Sequence, residues 1–463
     1  MKKILGIFSL ALVLCSSASA NSLTLDRAIE ILKSNNLEIK IAKLDQSIAN
    51  KDKAIANGNY FGKVDFIQDI ANSDDAGNVF GFKITSREAS LGDLGMADPE
   101  VMGANQALQQ QQMSPAEYGA VEPDSLNYPD SRMFFQSKIK WEVPLYTGFK
   151  ISSYVDITNA MAKMKSLEKS KMVNAKVYEL RKSFYDMALL ASSSRNLNNI
   201  LDNIHKLEVM TKSMIEVGYA KRVDLLEVRE KKGNVERHLM DMKLNKKLLY
   251  HYISFLLNKK VTDIVLPKST VPMPRLTTKD IIDENIDIKR AGLGLKIRKS
   301  MINISNADLY HPMAGGFVEI STADDTFLGD AGDHQAYTVG ARLTWNLYNG
   351  GIDSANLQKA KVEYIKTKTQ LQLARKGIGL QIAKIKTEIK SYNEKVNFLE
   401  KELTLANEIY RNYEARYIEK LASMSDVIIK QSGQIQKILE LQMVKNKRNE
   451  RIFALEKLAN GDK

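Results

Sequence analysis

One cysteine, Cys15, is all that 463 residues contain, and a disulfide-stapled scaffold is excluded. No run of 18 or more apolar residues occurs, which excludes a helical membrane-spanning domain. Nine prolines and 25 glycines are too few for a collagen or a disordered tract. The five histidines, His205, His238, His251, His311 and His334, are scattered without the paired spacing of metal ligands, so no metal site is expected. Asp324, Asp325, Asp330 and Asp333 with His334 have the ligand types for a cation, but a solvated acidic surface loop is the better reading. Gly292-Leu293-Gly294 lacks the third glycine of a dinucleotide fingerprint and follows no suitable strand. No Ser-His-Asp or Cys-His arrangement can be assembled. The sequence predicts neither an enzyme nor a cofactor.

What is present begins with an export pattern. Residues 1–20 carry Lys2 and Lys3, an apolar stretch from Ile4 to Leu14 and the small residues Ala18-Ser19-Ala20, the order of a cleaved signal peptide with the mature chain starting at Asn21. Leu14 before Cys15 is bulky where lipoprotein processing wants a small residue. Export also disposes of one reading of the +12 net charge, because few nucleic acids are available outside the cytoplasm.

Proline is confined to positions 99–144, 267–274 and 312, which leaves 145–266 and 313–463 open to long helices. Residues 149–217 also lack glycine after Gly148; a helix of that length would extend about 100 Å. In the later stretch Ile378, Ile382, Ile385, Ile389, Tyr392, Val396, Leu399 and Leu403 alternate steps of four and three, the 3.5-residue period of left-handed coiled-coil packing. Val173, Val177, Leu180, Phe184 and Met187 repeat it earlier. Gly377 and Gly379 predict a bend or a close helix contact.

The two halves are copies of one pattern. Leu145-Tyr146-Thr147-Gly148 matches Leu347-Tyr348-Asn349-Gly350, Val223-Asp224-Leu225 matches Ser425-Asp426-Val427, and Leu257-Asn258 matches Ala459-Asn460, all at an offset of 202. Asn36-Leu37-Glu38-Ile39-Lys40 matches Asn285-Ile286-Asp287-Ile288-Lys289 at 249. The surplus falls in Asn72 to Arg132, rich in Gly, Asp, Pro and Gln and read as a loop, against a short acidic loop from Thr322 to Gln335. After each loop comes an alternating strand. Phe135, Ser137, Ile139, Trp141, Val143 and Leu145 form the apolar face of one, and Tyr337, Val339, Ala341, Leu343, Trp345 and Leu347 that of the other. Lys138, Lys140 and Arg342 fall on the opposite faces. Ten-residue segments of this kind are the signature of transmembrane β-barrel strands, with Trp141, Tyr146, Trp345 and Tyr348 as an interfacial girdle and the three cations facing the lumen. Val64 to Ala71 with Val79 to Ser86, and Gly316 to Thr322, are the candidate partner strands. Four strands cannot close a barrel, so several chains must share one.

These residues resemble the TolC-like outer membrane efflux proteins. Ser22-Leu23-Thr24-Leu25-Asp26-Arg27-Ala28-Ile29-Glu30 is similar to the family's opening helix, Pro144 to Gly148 to its strand-to-helix corner, and Val217-Gly218-Tyr219-Ala220-Lys221-Arg222-Val223-Asp224-Leu225-Leu226 to its helical turn. The resemblance spans Asn21 to Gly461. It implies a mainly α fold with transmembrane β, built from a duplicated helix-strand-strand-helix-helix repeat at 21–265 and 266–463. It further implies a homotrimer whose chains each give four strands to a 12-stranded β-barrel, continued by a long periplasmic α-helical coiled-coil tunnel. The implied function is a passive exit duct in the outer membrane of a Gram-negative bacterium, serving a tripartite efflux pump or type I secretion system through a periplasmic adaptor and an inner-membrane transporter. The turn at 218–224, with Gly218, Tyr219, Lys221 and Arg222, is the expected adaptor docking tip. The resemblance places Tyr417 and Asp426, of the turn at 418–426, at the entrance gate, with Asp426 also the N-cap of the returning helix. The sequence departs from the family in the long first loop, in Ala422 and in the missing glycine of Glu419-Lys420-Leu421-Ala422. The competing reading, a periplasmic coiled-coil adaptor or structural spacer without a channel, would need neither Trp-bearing strands nor glycine corners.

Overall fold

The computed structural model describes residues 23–268, 271–327, 329 and 332–459; the expected signal peptide at 1–20 and Asn460 of the repeat lie outside them. Its elements run α1 (Leu25–Asn35), α2 (Leu37–Gly58), β1 (Lys63–Ser73), α3 (Ala76–Thr85), α4 (Pro99–Gln109), α5 (Pro115–Tyr118), α6 (Asp124–Asn127), β2 (Arg132–Tyr146), α7 (Lys150–Glu216) and α8 (Arg222–Leu257). They continue with α9 (Thr278–Glu284), α10 (Ile286–Tyr310), β3 (Met313–Asp324), β4 (Gln335–Thr344), α11 (Ile352–Ile418) and α12 (Met424–Leu458). The chain divides into two units. One comprises Ile48–Ala162 and Gly294–Lys368; the other takes the remaining segments, Lys163–Leu293 and Thr369–Lys463 among them.

The first unit holds a four-stranded antiparallel sheet in the order β1-β2-β3-β4. Three of its strands match the sequence expectation, and two details differ. Val79 to Ser86, expected as a partner strand, forms the latter part of helix α3 and its C-cap instead. Asp75 caps that helix by accepting from the Asn78 amide, while Val79 and Phe82, three apart, turn inward together: Val79 is buried and Phe82 stacks on Phe134 at 4.2 Å. The segment between β1 and β2 is thus a small helical assembly rather than an open loop. Strand β4 ends at Thr344, which pairs with Met313, the first residue of β3. Trp345 and Leu347 therefore lie past the point where a ladder partner exists.

The strand-to-helix corners repeat at the offset of 202. Gly148 and Phe149 take φ of 58° and 67°, and Gly350 and Gly351 take 71° and 85°. The left-handed pair reverses the chain sharply from strand to helix, a conformation only glycine adopts without cost. At Gly148 a side chain would also run into Cβ of His311, 2.7 Å away.

The second unit is helical, and its cores are duplicated. Leu32, Leu180, Met187 and Ile253, from α1, α7 and α8, are buried in one apolar cluster. Their counterparts at offsets of 249 and 202, Ile281, Ile382, Ile389 and Leu455, are buried in another, from α9, α11 and α12. The 3.5-residue seam thus packs in each half against its own short leading helix. Helix α11 continues through Gly377 and Gly379, and of the two expected outcomes the close contact is observed: Ile282 comes within 4.0 Å of where a Cβ at Gly379 would sit.

One device joins each leading helix to its successor. Asn36 donates from Nδ2 to the Leu256 carbonyl at 2.8 Å and accepts the Ile39 amide at Oδ1. Asn285 does the same with the Leu458 carbonyl at 3.1 Å and the Ile288 amide. Asn36→Ala would orphan a carbonyl at the end of α8 and uncap α2; each loss carries about 1–3 kcal/mol when buried. Asn36→Ala and Asn285→Ala are each expected to lower the unfolding free energy by about that amount in denaturant titrations, whereas Asn57→Ala, at an exposed helix end, should change it by less than about 0.5 kcal/mol.

Candidate functional site

Antiparallel partners share a face, so the register sorts every side chain of the sheet. Val64, Phe66 and Ile70 of β1, Ile139 and Trp141 of β2, Val318 and Ile320 of β3, and Tyr337, Val339 and Leu343 of β4 lie on one face. Nine of these ten are exposed, Val318 being half-buried, and the charge on this face is the buried Asp324, opposite Phe135 at the end of β3. The opposite face carries Asp65, Asp69, Lys138, Lys140, Glu142, Glu319 and Arg342. There Lys140 pairs with Glu142 at 2.7 Å and Lys138 with Asp69 at 3.2 Å. A soluble protein would bury the first face and solvate the second; here the greasy face is the open one. No strand pairs with the outer edge of β1 or of β4 among the described residues.

The four aromatic residues expected at an interface come from the corner half of β2 or from just beyond β4. Trp141 donates from Nε1 to the Phe61 carbonyl at 3.0 Å, and the Tyr146 hydroxyl lies 2.8 Å from Nδ1 of His311. Trp345 and Tyr348 follow β4 and are exposed. All four have a polar tip and an apolar body at the helix end of the sheet, the composition of an aromatic belt.

The two helical turns meet. Lys420 places its ammonium 3.2 Å from the centre of the Tyr219 ring, and Ser425 Oγ donates to Glu227 at 2.8 Å. Gly218 takes φ of 78°, and its counterpart in the second turn, Lys420, takes the same left-handed backbone at 67°. The glycine missing from the second turn is thus replaced without changing the turn, at a conformational cost of about 1–2 kcal/mol. Val217, Tyr219, Val223, Leu226, Ile418 and Leu421 are exposed around the turns. Tyr417 is 6 % exposed and packs with Met424 and Val427, and burial raises its hydroxyl pKa.

The capping differs from the sequence expectation. Asp426 is not the N-cap of α12; Ser423 is, and Asp426 answers it from the third helical position by accepting the Ser423 amide and hydroxyl. Those bonds hold its carboxyl below the usual range. Asp224 likewise accepts the Lys221 amide, while Glu227 accepts from Ser425 of the other turn.

With this geometry the sequence matches no protein-family model and no curated protein, but the fold has solved counterparts. The chain superposes on CusC, described with a transmembrane channel, at a TM-score of 0.75 with 12% identity, covering 94% of this chain and 91% of that one. For the outer membrane protein VceC of Vibrio cholerae the TM-score is 0.74 with 14% identity, covering 94% and 96%. For the open-state MtrE outer membrane channel of Neisseria gonorrhoeae it is 0.74 with 12% identity, covering 94% and 89%. The fold is that of the TolC-like outer membrane channels, as the sequence resemblance implied.

Sequence reading missed the charge cluster that braces the first turn. Glu208 of α7 is buried, yet it accepts from Arg229 at 3.1 Å and Lys232 at 3.2 Å, both on α8, and pairs with Lys212 at 3.2 Å. Burial pushes its carboxyl upward, but the hydrogen bonds from Lys232, Arg229 and Lys212 prevail and bring the pKa to about 2. A pKa below the ordinary value of 4.5 means stability that is present above that value and lost as pH falls toward 2. Glu208→Gln should cost about 1.5–3 kcal/mol at pH 7, since charge-assisted bonds are lost. Melting curves from pH 5 to 2 should show a shallower stability loss in the variant than in the wild type.

Proposed function

We propose that this chain is one subunit of a passive exit duct in an outer membrane, formed by three copies. The observation that carries the reading is the sheet: an exposed apolar face, a charged face and two unpaired edges. In hydrocarbon each unpaired edge group would cost several kcal/mol, and joining β1 of one copy to β4 of the next removes every edge at once. Three copies give 12 strands, an even number within the range of bacterial barrels. The apolar face then meets lipid, with Trp141, Tyr146, Trp345 and Tyr348 at its interface, while Lys138, Lys140 and Arg342 line the lumen. The chain then consists of two structural repeats, 21–265 and 266–463.

The helical unit supplies the periplasmic part. Gly218, Tyr219, Lys221 and Arg222 form the docking tip for a periplasmic adaptor, supported by the apolar side chains that the turns leave exposed. Tyr417 and Asp426 form the entrance gate, Asp426 as a ring of carboxylates about the three-fold axis and Tyr417 from within the packed bundle behind it. A duct that contributes no chemistry leaves cargo selection to the adaptor and to an energised inner-membrane transporter, in an efflux pump or a type I secretion system.

Adjacent residues on opposite faces test the reading. A lipid-facing arginine costs roughly 2–4 kcal/mol at mid-membrane and less toward the interface, whereas lumen substitutions leave assembly intact. Leu343→Arg is expected to reduce the yield of outer membrane trimers, and Arg342→Leu to preserve that yield while changing single-channel conductance in planar bilayers. Equal yields, with no conductance from either protein, would contradict the proposal.

A further inference from the structure

Three side chains that the duct does not use converge at the end of the sheet remote from the glycine corners. Glu88 follows α3, Asp324 closes β3, and His334 immediately precedes β4. Although 246 positions separate the first from the last, one ligand-type atom from each lies within 4.8 Å of the other two. Ligand atoms around a bound transition metal stand about 3–4 Å apart, within small side-chain rotations of this arrangement.

The surroundings are those of a built site rather than of a solvated acidic loop. Asp324 is 6 % exposed and its Oδ1 accepts the Asp325 amide at 2.6 Å. Nδ1 of His334 is shielded from solvent and has no hydrogen-bond partner, an unusual state for a buried imidazole nitrogen. Arg132 is paired with Glu88, the kind of outer-shell partner that holds metal-bound carboxylates in place. The chain also folds closely over Asp324: a Cβ at Gly329 would collide with the Asp324 carboxylate and the Thr326 hydroxyl. An imidazole whose buried nitrogen has no partner, set beside two carboxylates, offers a mixed nitrogen and oxygen donor set for a cation.

We propose that Glu88, Asp324 and His334 bind a divalent transition-metal ion that clips the helical segment between β1 and β2 onto the β3–β4 connection. One imidazole and two carboxylates suit Zn²⁺ or Mn²⁺; Ca²⁺ and Mg²⁺, which take all-oxygen shells, are disfavoured. The ion is structural. It cross-links the three side chains and fixes α3, whose Phe82 already stacks on Phe134 of the charged sheet face. The inference stands on these residues alone and does not depend on the duct reading.

The test uses the full-length protein, purified in detergent and stripped with EDTA. Equilibrium dialysis against Zn²⁺ in excess Mg²⁺, read by elemental analysis, should give one Zn²⁺ per chain. His334→Ala should weaken binding at least about tenfold with unchanged melting of the metal-free protein, and Glu88→Gln should weaken binding by a similar factor. Zn²⁺ should also slow proteolysis within 87–131 in the wild type and not in His334→Ala. Co²⁺ substitution should give a visible absorption band that His334→Ala alters. Wild-type protein that fails to retain Zn²⁺ over Mg²⁺, or variants that retain it undiminished, would overturn the proposal.

Discussion

A strand edge in hydrocarbon has nowhere to send its hydrogen bonds, and this constraint organises the rest of the molecule. The chain makes four strands, holds them in strict antiparallel register and turns one apolar face outward. Such a sheet is unstable alone on two counts, its open edges and its exposed face. Lipid resolves the second. In the proposed duct, further copies of the same sheet, joined head to tail around a closed ring, resolve the first.

The helical unit shows how one solution was used twice. The buried Leu32, Leu180, Met187 and Ile253 reappear as Ile281, Ile382, Ile389 and Leu455, and the Asn36 bridge to Leu256 reappears as Asn285 to Leu458. Duplication makes the halves similar without making them equal. The first turn has Gly218 and a Glu208 brace; the second keeps the same backbone with Lys420, which contacts Tyr219.

Much of this was legible in the sequence because two periods, 2 and 3.5, carry it. Alternation of Phe135 to Leu145 with polar residues located β2 to within a few residues, and the heptad steps located the packed seam of α11. Local pattern failed where tertiary contacts decide. Phe80, Phe82 and Ile84 alternate like a strand, but Asp75 starts a helix and Phe134, distant in sequence, rewards it. Asp426 looked like a cap residue, but Ser423, three positions earlier, takes that place. Glu208 gave no signal, since its cations lie on another helix, and Glu88 could not be joined to His334 without the sheet that brings them together.

The central claim is that β1 of one copy meets β4 of another. Single cysteines introduced along 64–72 and 336–344, combined in pairs and oxidised in outer membranes, measure this contact directly. The account predicts that some β1–β4 pairs yield covalently linked three-chain species on denaturing gels while pairs confined to β1 do not. Exclusively single-chain products across the whole panel, in protein that is folded and membrane-associated, would contradict it.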